Sequence, residues 1–338
     1  MAPSKSLTVG FLKQKTLITT LIIVMVIVLV VAAVAVTLKY INVGAVRAAS
    51  SGKEHLEPRY IICIPQGGIV DMCCVVLSCI KHAQEYNRVL IIDSVNTWFN
   101  DDLNEYINIH NPYVLTHAAD TITHNINTLT TYPPNIDVEK LDTVINTKKD
   151  GKPLYTINGT SLMTPLNQDY DAGIVIYSSQ RLTGNLPELL EMCTIRPKVL
   201  DVFKLRRAQL PKKYVSVHIR NTDYNSDVSK FIEENNHALE YNTIFLASDN
   251  KNTIDEMKTK YGSNIVTFAY IPDNGGKPIH DGYKRTKEES RKYNIDTFVD
   301  ILLLAAADEY YFSCKNSGFS NAVADLRAKP ELLKRLLE

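Results

Sequence analysis

The sequence predicts an α/β protein with two parallel-sheet halves, preceded by a single N-terminal transmembrane helix. Three observations predict this arrangement. An apolar run without charged residues spans residues 16–38. Short apolar runs then alternate with helical patterns, which is typical of α/β folds. The chain has 338 residues, enough for roughly two domains of about 150 residues each.

The composition excludes several classes of protein. With 45% hydrophobic and 22% charged residues, the chain is too apolar to be disordered or fibrous. Lys and Arg total 37, as do Asp and Glu, so no global positive field exists to hold nucleic acid. The six cysteines show no zinc-binding spacing. Because Cys63, Cys73 and Cys79 fall in apolar segments, we expect mostly buried thiols.

The apolar run at 16–38 matches the roughly 20 residues that cross a bilayer. A cleaved signal peptide has a shorter apolar region of about 7–15 residues, so we predict an uncleaved anchor. A cytosolic tail at 1–15 would precede it and a stem at 39–57 would follow. The three lysines of the tail favour a cytosolic N-terminus. This predicts a single-pass type II membrane protein with its soluble part in the lumen of the Golgi or ER. The glycosylation acceptor Asn158-Gly159-Thr160 is compatible with a lumenal location.

The first predicted domain spans 58–195 and begins with a β-Gly-Gly-α-β unit, which is typical of a doubly wound sheet. An apolar strand at 60–64 runs into Gly67 and Gly68, and a helical pattern follows. The stretch 94–170 is rich in Asn, Thr and Pro, and its weak periodicity predicts no ordered series of elements. The elements predicted after the first strand are a helix at 69–86, strands at 88–93 and 172–178, and a helix at 187–192.

The second predicted domain spans 196–338 and contains three strand–helix units in series. Such units predict a parallel sheet with right-handed crossovers. The predicted strands are 214–219, 243–247, 264–268 and 310–312, and the predicted helices are 198–209, 227–240, 252–261, 295–308 and 321–338. Ligands of parallel sheets bind beyond the carboxyl ends of the strands, so the residues directly after each strand are the candidates for a site.

Polar residues follow three of these strands. They are the segments 218–223, 248–250 and 313–321. The guanidinium of Arg220 suits bidentate recognition of phosphate, and a Ser/Gly turn at a helix start supplies backbone amides and the positive end of the helix dipole. A nearby carboxylate can accept from ribose hydroxyls or a base amino group. Each group alone is as well explained by an ion pair or a helix cap, but their occurrence at three strand ends predicts a site for a nucleoside diphosphate.

Residues 214–327 resemble the nucleotide-binding half of the fucosyltransferase superfamily. That group includes the α1,6-fucosyltransferases, the chitin-oligosaccharide fucosyltransferases, the α1,2 enzymes and the protein O-fucosyltransferases, and the resemblance is strongest to the α1,6 branch. The family motif His-x-Arg-Arg-x-Asp is matched by residues 218–223, and three later motifs by residues 246–250, 299–308 and 317–321. The turn at Gln66-Gly67-Gly68 also resembles the Gly-rich first turn of the acceptor-side domain.

The resemblance implies a GT-B fold of two facing Rossmann-like domains and an inverting transfer of fucose from GDP-fucose to a glycan or glycoprotein, without a metal cofactor. In such a site Arg220 would bind the β-phosphate, Asp300 would contact guanine or ribose, and Ser317 would contact the diphosphate. His218 would pack beneath the loop, and Asp223 would orient Arg220.

Two residues depart from the family pattern. The second Arg of the motif is Asn221 here, and the position of the family's proposed base is Val228. The nearest carboxylate, Asp227, is therefore the candidate base. The full predicted site comprises His218, Arg220, Asn221, Asp223, Ser248, Asp249, Asp300, Ser317, Gly318, Phe319 and Ser320 for the donor, Arg220 and Asp227 for catalysis, and Gly67 and Gly68 on the acceptor side.

Other readings of the sequence are weaker. The triplet 169–171 has the Asp-x-Asp spacing of a metal-dependent transferase, but it precedes a strand instead of following one. His117, Asp120 and His124 lie in a segment without helical character, which favours solvated loop histidines. The Gly-x-Gly-x-x-Gly pattern of dinucleotide enzymes and the Gly-x-Ser-x-Gly elbow of hydrolases are absent. Two alternatives remain: a GT-B transferase for another nucleotide sugar, such as xylose, and a glycan-binding membrane protein that has lost catalysis.

Overall fold

Two parallel β-sheets organise the fold, one in residues 58–195 (the N-terminal half) and one in residues 196–338 (the C-terminal half). They are seen in a computed structural model, which describes residues 58–115, 128–149, 152–180, 184–222, 226–272, 285–313 and 317–338. The strands are β1 (Tyr60–Pro65), β2 (Val89–Ile92), β3 (Ile107–Ile109), β4 (Val114–Leu115), β5 (Thr131–Tyr132), β6 (Ile145–Lys149), β7 (Lys152–Ile157), β8 (Thr160–Ser161), β9 (Ile174–Ser179), β10 (Cys193–Ile195), β11 (Val215–Ile219), β12 (Ile244–Ser248), β13 (Ile265–Val266) and β14 (Tyr311–Ser313). The α-helices are α1 (Ile69–Glu85), α2 (Leu186–Glu191), α3 (Pro197–Arg207), α4 (Val228–Leu239), α5 (Lys251–Tyr261), α6 (Lys287–Ala305), α7 (Gly318–Arg327) and α8 (Pro330–Leu337).

The sheet of the N-terminal half has the order β4-β2-β1-β9-β5 and is parallel throughout. Its central strand is apolar on both faces, as expected of a strand buried between two layers. Ile61 and Cys63 belong to the core that includes α1. Ile62 and Ile64 belong to a second core, which includes Ile157 of β7 and Leu162, the residue directly after β8. The alternation of side chains along β1 thus fixes α1 on one face and the β6-β7-β8 sheet on the other.

The sheet of the C-terminal half has the order β13-β12-β11-β14 and is also parallel. Val215, Val217 and Ile219 of β11 pack into a core with residues of α4 and α5. The intervening side chains are polar and point to the other face. There Ser216 donates through its Oγ to the carbonyl of Leu304 in α6, at 3.0 Å.

Helix α6 joins the two halves. Its Phe298 stacks on Tyr106, with ring centroids 5.7 Å apart, and its Asn294 donates to the carbonyl of Phe99 at 2.9 Å. Helix α8 also returns to the N-terminal half, where Arg335 donates to main-chain carbonyls of α2 and β10. Residues 58–338 accordingly form one compact unit, and the proposed division at residue 195 stays a prediction.

Most predicted strands and helices of the two halves are present, but three need correction. Helix α6 begins at Lys287 and not at 295, because Thr286 and Glu289 form a capping box that starts the helix in a polar segment. The predicted strand at 264–268 is reduced to β13, which follows a 3₁₀ turn at Gly262–Asn264. The predicted helix at 321–338 is two helices, since Pro330 cannot continue α7.

The described parts of the stretch 94–170, which are 94–115, 128–149 and 152–170, consist largely of short elements that have no periodicity of their own. A 3₁₀ turn at Leu103–Glu105 begins at Asp102, whose side chain accepts from the Asn104 amide. Strand β3 pairs antiparallel with the distant β10, and β6 to β8 form a small antiparallel sheet. These elements depend on partners far away in sequence, which explains why local pattern did not predict them.

The predicted anchor at 16–38, with its tail and stem, lies outside the described residues. Among the residues that are described, no helix is long and apolar enough to cross a membrane. Five of the six cysteines are described, and each is a buried free thiol, as expected from the sequence: Cys63, Cys73, Cys74, Cys79 and Cys193.

Candidate active site

A cavity of about 370 Å³ lies where the carboxyl ends of strands from both sheets meet. This is the place where parallel sheets bind ligands, and the volume is that of an ordinary small-molecule site. Residues just after β1, β9, β11 and β12 line it, together with one face of α6 and the start of α7. The lining residues are Gly68, Ile69, Val70, Asp71, Trp98, Gln180, His218, Arg220, Thr222, Ala247, Ser248, Asp249, Ala269, Ile271, Tyr293, Asp296, Thr297, Asp300, Gly318 and Phe319.

Arg220 is the first residue after β11 and supplies a guanidinium to the cavity. Its Nε lies 4.0 Å from Oδ2 of Asp249, the first residue after β12. Asp249 also accepts from the Asn221 amide at 2.8 Å and from the Thr222 hydroxyl at 2.6 Å. One carboxylate therefore fixes the turn that carries Arg220, and the guanidinium is held at the cavity wall, where it can meet a phosphate.

Asn221 does not take the role of a second phosphate-binding arginine. Its side chain donates to the Thr253 hydroxyl at 3.0 Å and accepts from the Ser226 amide at 3.0 Å. Both contacts turn the carboxamide toward α5 and away from the cavity, so its assignment to donor binding was wrong. Asp223, expected to orient Arg220, lies outside the described residues, and Asp249 is the carboxylate seen beside that guanidinium.

His218 packs beneath the loop, as the resemblance implied. It is buried, its ring stacks on Phe319 with centroids 4.5 Å apart, and its Nδ1 lies 2.6 Å from Oγ of Ser320. Burial, assisted by the charge of Arg220, lowers the pKa of His218 to about 3. The imidazole is therefore neutral, and it acts as a packing and hydrogen-bonding group that connects β11 to α7.

The start of α7 reaches the cavity through Gly318 and Phe319. Ser317 is the N-cap of this helix, because its side chain accepts from the Ser320 amide, and it is buried at 2% exposure. Ser320 is equally buried and bonds to His218. Ser317 is not among the residues that line the cavity, and its expected contact with a diphosphate stays a prediction. The N-terminal turn itself, with its positive dipole end, faces the cavity instead.

Asp300 on α6 is a buried carboxyl group that lines the cavity. Its Oδ1 has no hydrogen-bond partner among the described residues. Loss of hydration on burial raises its pKa to about 8, with Asp296 adding repulsion and Arg206 partly opposing the shift. Asp296, one helical turn away, is paired with Arg206 of α3. An unsatisfied buried acceptor is costly. A ligand that donates a hydrogen bond to Oδ1 of Asp300 would remove that cost.

Asp227 does not reach the cavity. It is exposed, and its carboxylate caps α4 by accepting from the Lys230 amide at 2.9 Å. The sequence pattern that suggested a base is therefore a helix N-cap. Ser248 and Asp249 line the cavity as expected.

The Asp-x-Asp triplet is part of the scaffold of the N-terminal half. Asp169 pairs with the fully buried Arg88 at 2.8 Å and with Arg59 at 2.7 Å. These charges hold the pKa of Asp169 at about 2, against the opposing effect of its partial burial. Among the described residues, no group of three or more potential ligands is arranged to hold a metal ion. The cluster His117, Asp120 and His124 lies outside those residues.

The N-terminal half contributes one wall of the cavity, and the sequence predicts only part of it. Gly68 lines the cavity, whereas Gly67 supports it: its carbonyl accepts from the indole of Trp98. Gly67 has φ +87°, and a Cβ placed there would lie 2.6 Å from Cγ of Gln180. The glycine is required both by its backbone conformation and by the close approach of Gln180.

Five lining residues of this wall were missed: the apolar Ile69 and Val70, and Asp71, Trp98 and Gln180, which carry polar groups. Gln180 follows β9 directly, so the rule that selected Arg220, applied to the N-terminal sheet, would have selected it too. Asp71 lies in the first turn of α1, three residues beyond the Gly-Gly turn. Trp98 lies in the irregular stretch, and apart from its being the single Trp of the chain, no local signal marks it.

Comparisons with known proteins identify the fold. No protein-family model matches the sequence, nor does any curated protein. Among solved structures, the chain is similar to NodZ α1,6-fucosyltransferase soaked with GDP-fucose, at 14% identity and a TM-score of 0.54 over 80% of this chain and 92% of that one. It is similar to fucosyltransferase NodZ from Bradyrhizobium at 14% identity and a TM-score of 0.56, over 80% and 94% of the two chains. POFUT1 in complex with GDP-fucose gives 12% identity and a TM-score of 0.49, over 81% and 96%.

The likeness to NodZ shows that the chain shares the fold of that enzyme. The predicted α/β class with parallel sheets is thereby confirmed. At this level of identity the likeness establishes the fold and not the reaction.

Proposed function

We propose that this chain is a membrane-anchored inverting glycosyltransferase that transfers fucose from GDP-fucose to a glycan acceptor. One observation carries the proposal. Arg220, Asp300 and the first turn of α7 come from three separate elements and line a single cavity at the carboxyl ends of parallel strands. A cation, a helix N-terminus and a buried unsatisfied acceptor are the groups that a nucleoside diphosphate needs.

The diphosphate would bind between Arg220 and the start of α7. A guanidinium offers two parallel donors to phosphate oxygens, and the N-terminal turn at Gly318 adds the positive end of the helix dipole. Asp249 keeps Arg220 in place by fixing its turn. Since these groups supply the positive charge themselves, we propose that no divalent metal is required.

The guanine base would bind at Asp300. Guanine carries two adjacent donors, N1–H and the amino group, which match the two oxygens of an ionised carboxylate, whereas adenine offers a donor beside an acceptor. Binding of guanine would therefore release the proton that Asp300 holds at neutral pH in the ligand-free protein. The buried Oδ1 of Asp300 is without a partner among the described residues, so a ligand that donates to it removes an existing cost. This favours GDP over ADP, and the GDP-fucose-soaked NodZ of similar fold supports fucose as the sugar.

The reaction follows from these positions. The acceptor hydroxyl oxygen forms a bond to C1 of the sugar while the bond from C1 to the β-phosphate oxygen breaks, and the electron pair leaves with GDP. Arg220 and the start of α7 stabilise the charge that develops on the departing diphosphate. Attack from the face opposite GDP inverts the configuration at C1.

We also propose that residues 16–38 anchor the chain as a type II membrane protein with residues 58–338 in the lumen of the Golgi or ER. Asn158 supports a test of this topology, because it is exposed in the tight turn between β7 and β8. In the lumen Asn158 would carry a glycan, and an endoglycosidase would shift the mobility of the chain but not that of the Asn158→Gln variant. If the endoglycosidase does not shift the mobility of the wild-type chain, residues 58–338 lie on the opposite side of the membrane.

The activity is tested by titrating the full-length detergent-solubilised chain with GDP, UDP and dTDP sugars, each with and without EDTA. We expect GDP-fucose to bind and to release GDP, with no effect of EDTA, and we expect Asp300→Asn to reduce the preference for GDP over ADP. Turnover of a UDP or dTDP sugar instead would assign another donor. Glycan binding without turnover of any nucleotide sugar would make the chain a lectin-like protein and would overturn the proposal.

A further inference from the structure

We propose that Asp71 is the general base that accepts the proton of the acceptor hydroxyl. The inference rests on the proposed glycosyl transfer and adds to it the residue that activates the acceptor. It replaces the expected base Asp227, which caps α4.

Asp71 is placed by the Gly-Gly turn after β1. It is half-buried in the first turn of α1 and lines the cavity beside Gly68. Its Oδ2 lies 3.0 Å from the point that a Cβ on Gly67 would occupy, so the carboxylate rests against the turn. The positive end of the α1 dipole favours the ionised form of a carboxylate in the first turn, and the ionised form is the one that accepts a proton.

The other carboxylates among the described lining residues belong to the C-terminal half and have other roles. Asp249 accepts from the turn that carries Arg220, and Asp296 pairs with Arg206. Asp300 is buried in α6, where its pKa of about 8 keeps it protonated at neutral pH before a ligand binds. Asp71 is the carboxylate that the N-terminal half, the expected acceptor side, brings to the same cavity.

Gln180 and Tyr155 lie on the same side of the turn as this carboxylate. Tyr155 is fully buried in β7, and its hydroxyl donates to Oε1 of Gln180 at 3.1 Å. That bond fixes which end of the carboxamide points to Tyr155 and leaves the NH₂ end on the other side. Burial, with repulsion from Asp71, raises the pKa of Tyr155 to about 12, so the phenol stays a donor. A Cβ added to Gly67 would lie 2.6 Å from the Cγ of Gln180 and 3.0 Å from the Oδ2 of Asp71, so both side chains rest against the same turn.

The proton balance of the transfer is then complete. As the acceptor oxygen bonds to C1 of fucose, its proton passes to a carboxylate oxygen of Asp71, and GDP leaves with the electron pair of the broken C1–O bond. Water in place of the glycan would lose its proton to the same oxygen, which gives slow hydrolysis of GDP-fucose. General-base catalysis of this kind contributes about 10²–10⁴-fold to the rate.

The experiment compares wild type, Asp71→Ala and Glu85→Gln as full-length solubilised proteins. Glu85 is exposed at the far end of α1, so its variant removes a carboxylate from the same helix without touching the cavity. Three quantities are measured: the Kd of GDP, the release of GDP from GDP-fucose in water, and the release of GDP in sodium azide with formation of fucosyl azide. Azide is already an anion and needs no base.

For Asp71→Ala we expect the rate in water to fall by about 100-fold or more, the Kd of GDP to change less than about twofold, and the azide reaction to persist near the wild-type rate. Glu85→Gln should match wild type in all three. If Asp71→Ala releases GDP in water at the wild-type rate, the assignment is overturned. It is also overturned if the azide reaction is lost together with the water reaction, because Asp71 would then serve donor binding or folding. If the wild-type protein itself does not bind or turn over GDP-fucose, the proposed function is contradicted. This outcome is seen in the wild-type measurements and does not depend on the Asp71 variant.

Discussion

His218 Nδ1 lies 2.6 Å from the Oγ of Ser320, which ties the carboxyl end of β11 to the first turn of α7. The contact is possible because β11 and β14 are parallel neighbours, with His218 paired to Ser313 in register. It places Arg220 and the start of α7 on the same side of the sheet, where both line one cavity. A neutral histidine thus sets the spacing between the two groups proposed to hold the diphosphate.

Breaking this contact should weaken both the fold and the donor site. We expect His218→Phe to lower the free energy of unfolding by about 1–3 kcal/mol, since the buried Ser320 hydroxyl loses its partner. Ser320→Ala should cost a similar amount, and the double variant less than the sum, because the partners share one interaction. Denaturant unfolding of the four proteins measures this coupling. Strict additivity would show that the contact contributes nothing.

Two buried groups with opposite pKa shifts should shape the dependence of stability on pH. The pKa of Asp300 is raised from 3.8 to about 8, so the folded state keeps a proton that the unfolded chain has lost, and stability falls as pH rises through this range. The pKa of His218 is lowered from 6.5 to about 3, so the unfolded chain binds the extra proton and stability rises with pH up to 6.5. The two effects oppose each other below pH 6.5, and above it Asp300 acts alone.

We therefore expect the free energy of unfolding of the ligand-free protein to fall between pH 6.5 and 8, by at most about 1.4 kcal/mol per pH unit. Asp300→Asn should remove this decline, because the amide does not titrate. Urea unfolding at half-unit steps of pH, for both proteins in parallel, measures the difference. An identical slope in the variant would mean that Asp300 does not hold its proton in the folded state.

The donor side of the site could be predicted from sequence because its residues follow apolar strands directly. Arg220, Ser248 and Asp249 were found in this way, and all three line the cavity. Ser317 was selected by the same rule but caps α7, since a Ser before a helix has the same local pattern whether it binds a ligand or a backbone amide. The prediction of Asp227 as the base was wrong for the same reason, because its carboxylate caps α4.

The acceptor side could be predicted only in part. Gly67 and Gly68 marked the turn, but the contacts of Trp98 and Gln180 with Gly67 bring together residues 31 and 113 positions away in the chain, and no local pattern records such contacts. The stretch 94–170 resisted prediction because strands such as β3 are held by distant partners such as β10. Local propensity decides little where pairing is non-local.

Arg220 is expected to be indispensable for turnover and important for GDP binding. Removing a charge-assisted contact to phosphate costs about 1.5–3 kcal/mol, so Arg220→Ala should weaken GDP by about 10–100-fold. The rate should fall further, because the guanidinium stabilises charge that develops as GDP leaves. Arg220→Lys should be intermediate, since an ammonium keeps the charge but not the bidentate geometry.

Calorimetry and GDP release measure the two effects, and circular dichroism should show an unchanged fold, because Arg220 is partly exposed, with 25% of its side chain accessible. Lys213→Ala, which removes an exposed cation paired with Glu309, is the matched control and should behave as wild type. If Arg220→Ala binds GDP as tightly as that control, Arg220 is not part of the donor site.

The two glycines after β1 should respond very differently to alanine. Gly67 has φ +87°, and an added Cβ would lie 2.6 Å from Gln180 Cγ and 3.0 Å from Asp71 Oδ2, whereas Gly68 has nothing within 4 Å of its added Cβ and an ordinary φ of −65°. The left-handed conformation alone costs an alanine about 1–2 kcal/mol. We expect Gly67→Ala to lower the free energy of unfolding by at least that amount, and Gly68→Ala to stay within about 0.5 kcal/mol of wild type.

Because the displaced side chains are Gln180 and Asp71, and not Arg220 or Asp300, Gly67→Ala should also reduce GDP release from GDP-fucose while the Kd of GDP is retained. Loss of GDP affinity in equal measure would mean that the turn supports the donor site, and the division of the cavity into a donor wall and an acceptor wall would then be wrong.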